Sequence, residues 1–147
     1  MLIIINSSMF NFHLTDFYFY IETDPPRKSG DIARLKSPPF TWTKNNRVRH
    51  WFSFWYFMWG SNVNELRVLL EDNTGSKREL WSISGEQERN WLQANVSFEI
   101  PRVSGPEWYS VVFEGVAGVD QQSDIAIDTF ESSASMCRYQ GVKEGKE

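Results

Sequence analysis

The sequence has one cysteine, Cys137, among 147 residues. A single cysteine excludes an internal disulfide framework. With only two histidines, His13 and His50, it also leaves little for a Cys/His zinc site. Long hydrophobic runs are missing. The N-terminal apolar run, Leu2 to Ile5, ends at Asn6-Ser7-Ser8, too short for the core of an export signal and far too short to cross a bilayer. Basic clusters are missing too: 15 Lys and Arg stand against 19 Asp and Glu, a formal charge of −4. That balance argues against a nucleic-acid partner, which needs a basic surface. No Gly-x-Ser-x-Gly elbow or phosphate-binding loop occurs, and Ser82-Ile83-Ser84-Gly85 lacks either pattern.

What is present is aromatic. Seven Trp, five Tyr and eleven Phe make up 16% of a chain that is 41% hydrophobic, enough for one packed domain and too apolar for intrinsic disorder. The patterning is that of strands. Phe17, Phe19 and Ile21 alternate with Tyr18, Tyr20 and Glu22, and Asp24-Pro25-Pro26 ends that run. Ile32 to Leu35 resumes extended structure until Ser37-Pro38-Pro39. Trp51 to Trp59 is bulky in both phases, the pattern of a strand covered on both faces. Residues 63–84 read as a hairpin around Asp72-Asn73-Thr74-Gly75. Leu92 to Ile100 alternates strictly, and Tyr109 to Glu114 and Asp124 to Asp128 alternate as well. About eight strands and no helical stretch predict an all-β sandwich or barrel. Residues 1–14 are expected to be a strand or an irregular lead-in, and residues 138–147 a charged, fraying tail.

Chemistry-bearing residues are sparse. His13 and His50 have no acid or nucleophile at a recognisable spacing and are expected to be structural or superficial. Glu114, Asp120, Asp124 and Asp128 gather towards the C-terminus. Oxygen ligands suit calcium, but no calcium-loop spacing is present, and solvated edge carboxylates are the expected role. Asp124 and Asp128 fall on one face of their strand. Asn6-Ser7-Ser8 and Asn95-Val96-Ser97 match the N-glycosylation acceptor, with Asn95 on the polar phase of its strand. Most of the 51–59 block is expected in the core, with Trp42 and Trp108 partly exposed beside loops.

Taken in order, these blocks resemble the MAM domain. The resemblance is carried by Phe17 to Glu22, Gly30-Asp31-Ile32-Ala33-Arg34-Leu35, Ser37-Pro38 and Phe54-Trp55-Tyr56-Phe57-Met58-Trp59-Gly60. It continues through Leu66-Arg67-Val68, Leu80 to Gly85, Trp91, Val112 to Val116 and Asp124 to Asp128. It covers about residues 14–137, so the chain divides into a divergent lead-in (1–14), a MAM-like domain (15–137) and the tail. The resemblance implies a jelly-roll β-sandwich of two antiparallel sheets, found in extracellular parts of receptors and adhesion proteins, and itself non-catalytic. Members carry four cysteines in two disulfides. The first two precede the segment matching Phe17 to Glu22, where this chain has only Met1 to Leu14, so the resemblance implies a domain short of its front edge. The third cysteine aligns with Trp51 and the fourth with Cys137. Cys137 is then a free thiol or the site of a covalent dimer, and burial of Trp51 is expected to offset part of the lost crosslink. Some members hold calcium near the first and last strands. Asp31 and Asp128 are the matching candidates, while the next acidic position is Thr129.

Three functions are therefore weighed. The first is an extracellular, non-catalytic module for protein contact or self-association in cell adhesion or receptor ectodomains, acting through the loops at 24–30, 60–64 and 116–123. It inserts no segment into a membrane. The second is a carbohydrate-binding jelly roll, suggested by the aromatic excess and a calcium site. The third is a small glycosidase- or lyase-like enzyme, which the fold alone permits.

Overall fold

The computed structural model describes residues 2–6, 17–21, 26, 28–41, 49–99, 108–119 and 124–132. Ten strands are formed among them: β1 (Leu2–Asn6), β2 (Phe17–Ile21), β3 (Ile32–Lys36), β4 (Phe40–Thr41), β5 (Arg49–Trp59), β6 (Glu65–Asp72), β7 (Lys77–Ser84), β8 (Leu92–Glu99), β9 (Trp108–Val116) and β10 (Asp124–Ser132). The eight strands read from alternation are all present. Of the two further strands, β1 lies in the lead-in, where a strand is one of the two expected forms, and pairs with its neighbour β2; β4 is a two-residue segment whose partner β9 lies far away in sequence.

The strands form two five-stranded antiparallel sheets. The first runs β1-β2-β10-β5-β8; in the second, β3-β9-β6-β7, the short β4 also pairs with β9. β1 supplies an edge next to β2, with Leu2 opposite Ile21 and Asn6 opposite Phe17. The hairpin is confirmed, with Glu65 opposite Ser84. Its turn is tied by Asp72, whose side-chain oxygen accepts from the Thr74 and Ser76 amides at 2.9 and 3.1 Å. The Thr74 hydroxyl above all, and then those two amides, hold the Asp72 carboxyl below its usual range. Gly75 closes the turn at φ +82°, a left-handed backbone that suits glycine.

The core lies between the sheets. The first sheet contributes Phe52, Phe54, Tyr56 and Met58 from β5, Ala94, Val96 and Phe98 from β8, and Ile125 and Ile127 from β10. Leu66, Val68, Leu70, Tyr109, Val111 and Phe113 face them from β6 and β9. Rings meet across the interface, Phe54 standing edge-on to Phe113 at 4.9 Å and to Trp81 at 5.3 Å. His50 is buried beside Phe98. Burial lowers its pKa and favours the neutral ring, consistent with a structural histidine.

Proline does break β3 as expected, but only locally. The Ser37 amide donates to the Val111 carbonyl at 2.9 Å, and the Ser37 hydroxyl accepts from the Val111 amide at 3.0 Å. The side chain thus replaces a ladder acceptor, and β4 resumes on the same partner, β9.

A second local device sits in β10. One extra residue enters between Asp128 and Glu131, with Thr129 at φ +44°. The bulge shifts the strand's phase. Phe130 thereby turns onto Phe52 and Phe113, at centroid distances of 5.5 and 5.9 Å.

The sheets approach closely at Gly115 of β9. A Cβ there would overlap the Ile21 Cδ1 and lie 3.1 Å from its Cγ1. Gly115→Ala is therefore expected to destabilise by about 1–3 kcal/mol, because Ile21 must leave its rotamer. Ile21→Val removes the obstructing methyl, so the double variant should be more stable than the sum of the single losses predicts. Urea denaturation of the four proteins measures this. Strict additivity would show that the contact is not the cause.

Candidate functional site

Alternation along β5 sends Phe52, Phe54, Tyr56 and Met58 inward and Trp51, Ser53, Trp55, Phe57 and Trp59 outward. The inward four are buried, but Trp51, Trp55 and Trp59 are 48%, 38% and 36% exposed. The expectation that this strand is covered on both faces is thus corrected. The second sheet covers one face only, and only one phase of the aromatic block belongs to the core. Trp51 does not offset a lost crosslink by full burial. The signal was in the sequence: every tryptophan of the block shares a phase with Ser53, its one small polar residue.

The three indoles form a row, with successive positions about 13 Å apart at roughly 3.3 Å per residue. Neighbouring strands flank the row with polar side chains. On β8, Ser97 stands opposite Trp51, Asn95 opposite Ser53 and Gln93 opposite Trp55. On β10, Asp128 stands opposite Trp55 and Asp124 opposite Trp59, so the two carboxylates share the tryptophan face. At one end the Arg89 guanidinium lies 5.6 Å from the Trp59 ring centre, within cation–π range. There the half-buried Trp91 meets Phe57 and Tyr18, each at 5.9 Å. Trp108, on the other sheet, is half-buried with the Lys36 ammonium 5.7 Å from its ring, in line with its expected partial exposure.

The remaining candidates scatter. Asp31 is exposed in the loop before β3, where its carboxylate accepts from the Lys28 amide at 2.9 Å. Asp128 lies on the opposite sheet and accepts from the Thr129 amide at 2.6 Å. Among the described residues no three of His, Cys, Asp and Glu stand close enough to hold a metal ion. Asn95 is exposed on β8; Asn6 ends β1, and its side chain lies outside the described residues. Cys137, His13, Trp42 and Asp120 also lie outside them.

Glu114 is not a solvated edge carboxylate. It is 4% exposed in the middle of the second sheet. Arg34 and Arg67 stand directly opposite it on the two flanking strands and bind it at 2.7 and 3.0 Å. Sequence spacing could not reveal this, because the three residues come from three separate segments.

The described parts of the three candidate loops gather at one end and are cross-bonded. The Gly30 amide donates to the Ala117 carbonyl at 3.0 Å and the Ala117 amide to the Asp31 carbonyl at 2.8 Å. The Asn64 side-chain amide adds a bond to Ala117 at 3.3 Å. Among the described residues no helix is long and apolar enough to cross a membrane.

The architecture is shared with known β-sandwich modules. One structure of carbohydrate-binding modules from the β-sandwich superfamily aligns at TM-score 0.59 and 10% identity, covering 90% of this chain and 53% of that one. A family 16 carbohydrate-binding module aligns at TM-score 0.52 and 13% identity, covering 82% and 79%. At these identities the likeness shows the fold alone. Sequence relatives are nearer. Human MAM domain-containing glycosylphosphatidylinositol anchor protein 2 is 36% identical over 133 residues, 86% of this chain and 13% of that protein. Chicken MAM domain-containing glycosylphosphatidylinositol anchor protein 1 is 36% identical over 132 residues, covering 88% and 13%. The chain thus spans a small fraction of these relatives' length. The family model for the MAM domain, meprin/A5/mu, matches residues 6–138, and with these identities the chain belongs to the MAM domain family.

Proposed function

We propose that this chain is a non-catalytic recognition module of an extracellular or cell-surface protein, and that it binds a protein partner through the outer face of its first sheet. One observation carries the reading: three tryptophans stand exposed in a row on that face. Exposed aromatic surface of this kind marks contact sites, and tryptophan is among the residues that dominate binding energy. The polar rim from Gln93, Asp124 and Arg89 suits a specific interface. The cross-bonded loops at the end of the sandwich are read as scaffold. The names of the curated relatives, as glycosylphosphatidylinositol anchor proteins, support a cell-surface setting.

A saccharide partner is the second reading. It is favoured by the mixture of indole faces with amides and carboxylates on one surface, since sugars offer both C–H faces and hydroxyls. The test uses Trp59→Ala and Arg89→Ala, screened against surface-protein and glycan arrays. Each variant should retain the parent's fold and lose at least about tenfold in affinity for the partner, as hot-spot tryptophans and arginines do. Capture of proteins supports the first reading, and capture of glycans only supports the second. Unchanged affinity of both variants for every ligand the parent captures overturns the placement.

A further inference from the structure

We infer that Asn95 is an N-glycosylation site whose first sugars lie against Trp51 and Trp55, so that the domain's own glycan covers one end of the tryptophan row. The inference rests on the extracellular reading, because only chains entering the secretory pathway meet the transferase.

Three observations converge. The first is the acceptor Asn95-Val96-Ser97 itself. Asn95 and Ser97 are exposed in the folded domain, while Ala94 and Val96 are 6% and 5% exposed and face the core. A glycan can therefore leave the strand without disturbing the packing.

The second is register. Asn95 stands opposite Ser53, with Ser97 opposite Trp51 and Gln93 opposite Trp55. The asparagine thus lies diagonally between the two indoles, about 7–8 Å from each measured at the backbone. The residue directly across is serine, the smallest side chain on that face of β5. Ser53 is 4% exposed, so a pyranose attached at Asn95 meets a closed floor there and lies beside the partly exposed Trp51 and Trp55 rings. Its C–H face can stack on an indole as another ring would, removing apolar surface from water.

The third is the edge. β8 ends its sheet, and among the described residues no strand pairs with its outer side. Exposed edges invite pairing with other chains, and proteins blunt them with charge, proline or bulges. From Leu92 to Phe98 the strand has none of these. A glycan at its middle performs the same task.

The face is thereby divided. The Trp51–Trp55 end is closed by a covalently attached sugar. The Trp59 end, with Arg89 and Asp124, is left for the partner. Asn6, the other acceptor in the sequence, lies on β1 at the opposite edge of the sheet, away from the tryptophan row.

The experiment expresses the full chain behind a heterologous secretion signal in mammalian cells. Peptide mapping after peptide-N-glycosidase treatment should find Asn95 occupied. Enzymatic removal of the glycan should increase acrylamide quenching of tryptophan fluorescence and increase self-association, with the β-sheet circular dichroism unchanged. The Trp51→Ser/Trp55→Ser variant should show no such quenching increase. Ser97→Ala, which blocks glycosylation without altering Asn95, should reproduce the deglycosylated behaviour. An unoccupied Asn95 in secreted, folded protein overturns the inference, as does an occupied site whose removal leaves quenching unchanged. Neither outcome touches binding at Trp59, so the proposed recognition function stands or falls separately.

Discussion

Phe54→Ala is expected to cost about 3–5 kcal/mol, the range for truncating a buried phenylalanine, while Trp55→Ala, one residue further on, costs about 1–2 kcal/mol. Phe54 is 1% exposed and packs against Phe113, Trp81, Phe52 and Tyr56. Its loss leaves a cavity in the centre of the sandwich, bounded by rings that cannot collapse freely. Against a total stability of about 5–15 kcal/mol, that loss puts the domain close to unfolding at body temperature. Trp55 is 38% exposed, so its truncation removes fewer packed contacts than that of Phe54 and leaves a site that water can fill. Urea denaturation of both variants measures the contrast. Equal losses would show that the outer face is covered as well, and would remove the basis for a binding surface there.

Glu114→Ala is expected to cost about 3 kcal/mol, at the low end for breaking a buried ion pair. Among the described residues its carboxylate bridges Arg34 and Arg67, and Arg67 also meets Glu65 at 3.4 Å. Removing it leaves two like charges facing each other across β9. The loss stays at the low end because the Arg34 side chain is half exposed and can turn to water. Arg34→Ala should cost less than Glu114→Ala, because Arg67 stays on the buried carboxylate. Glu114→Gln keeps the shape but only one acceptor oxygen, turning an amide N–H towards the other guanidinium, and should fall between the two. Thermal unfolding at neutral pH ranks the three. A Glu114→Ala variant as stable as the parent would mean that the carboxylate is solvated, as its place in an acidic stretch had suggested.

Much of the fold was legible because strand periodicity is a local property. Alternation at Phe17–Ile21, Leu92–Glu99 and Asp124–Asp128 needs only neighbouring residues to be read, and the turn at Asp72–Gly75 is written in residues that bond one another. The short strands β1 and β4 were less legible, since two to five residues carry too little periodicity of their own. β4 exists because Ser37 repairs the ladder at the proline pair and keeps the chain on β9. The bulge at Thr129 was equally hidden, because it takes a partner strand to define an extra residue.

The candidate site shows the same division. Asn95 could be placed on a polar phase from its own strand. That it stands between two tryptophans could not, because register joins segments about 40 residues apart through pairing that neither segment encodes alone. Glu114 failed for the same reason, its two arginines arriving from β3 and β6.

By itself the sequence determined that this chain forms one all-β sandwich of MAM type, because period-two patterning and ordered motifs are carried by adjacent side chains. The tertiary structure decided which phase of the 51–59 block became core. A strand with bulky residues in both phases has no local preference between its faces. Only the presence of a second sheet over Phe52, Phe54, Tyr56 and Met58, and water over Trp51, Trp55 and Trp59, distinguishes them.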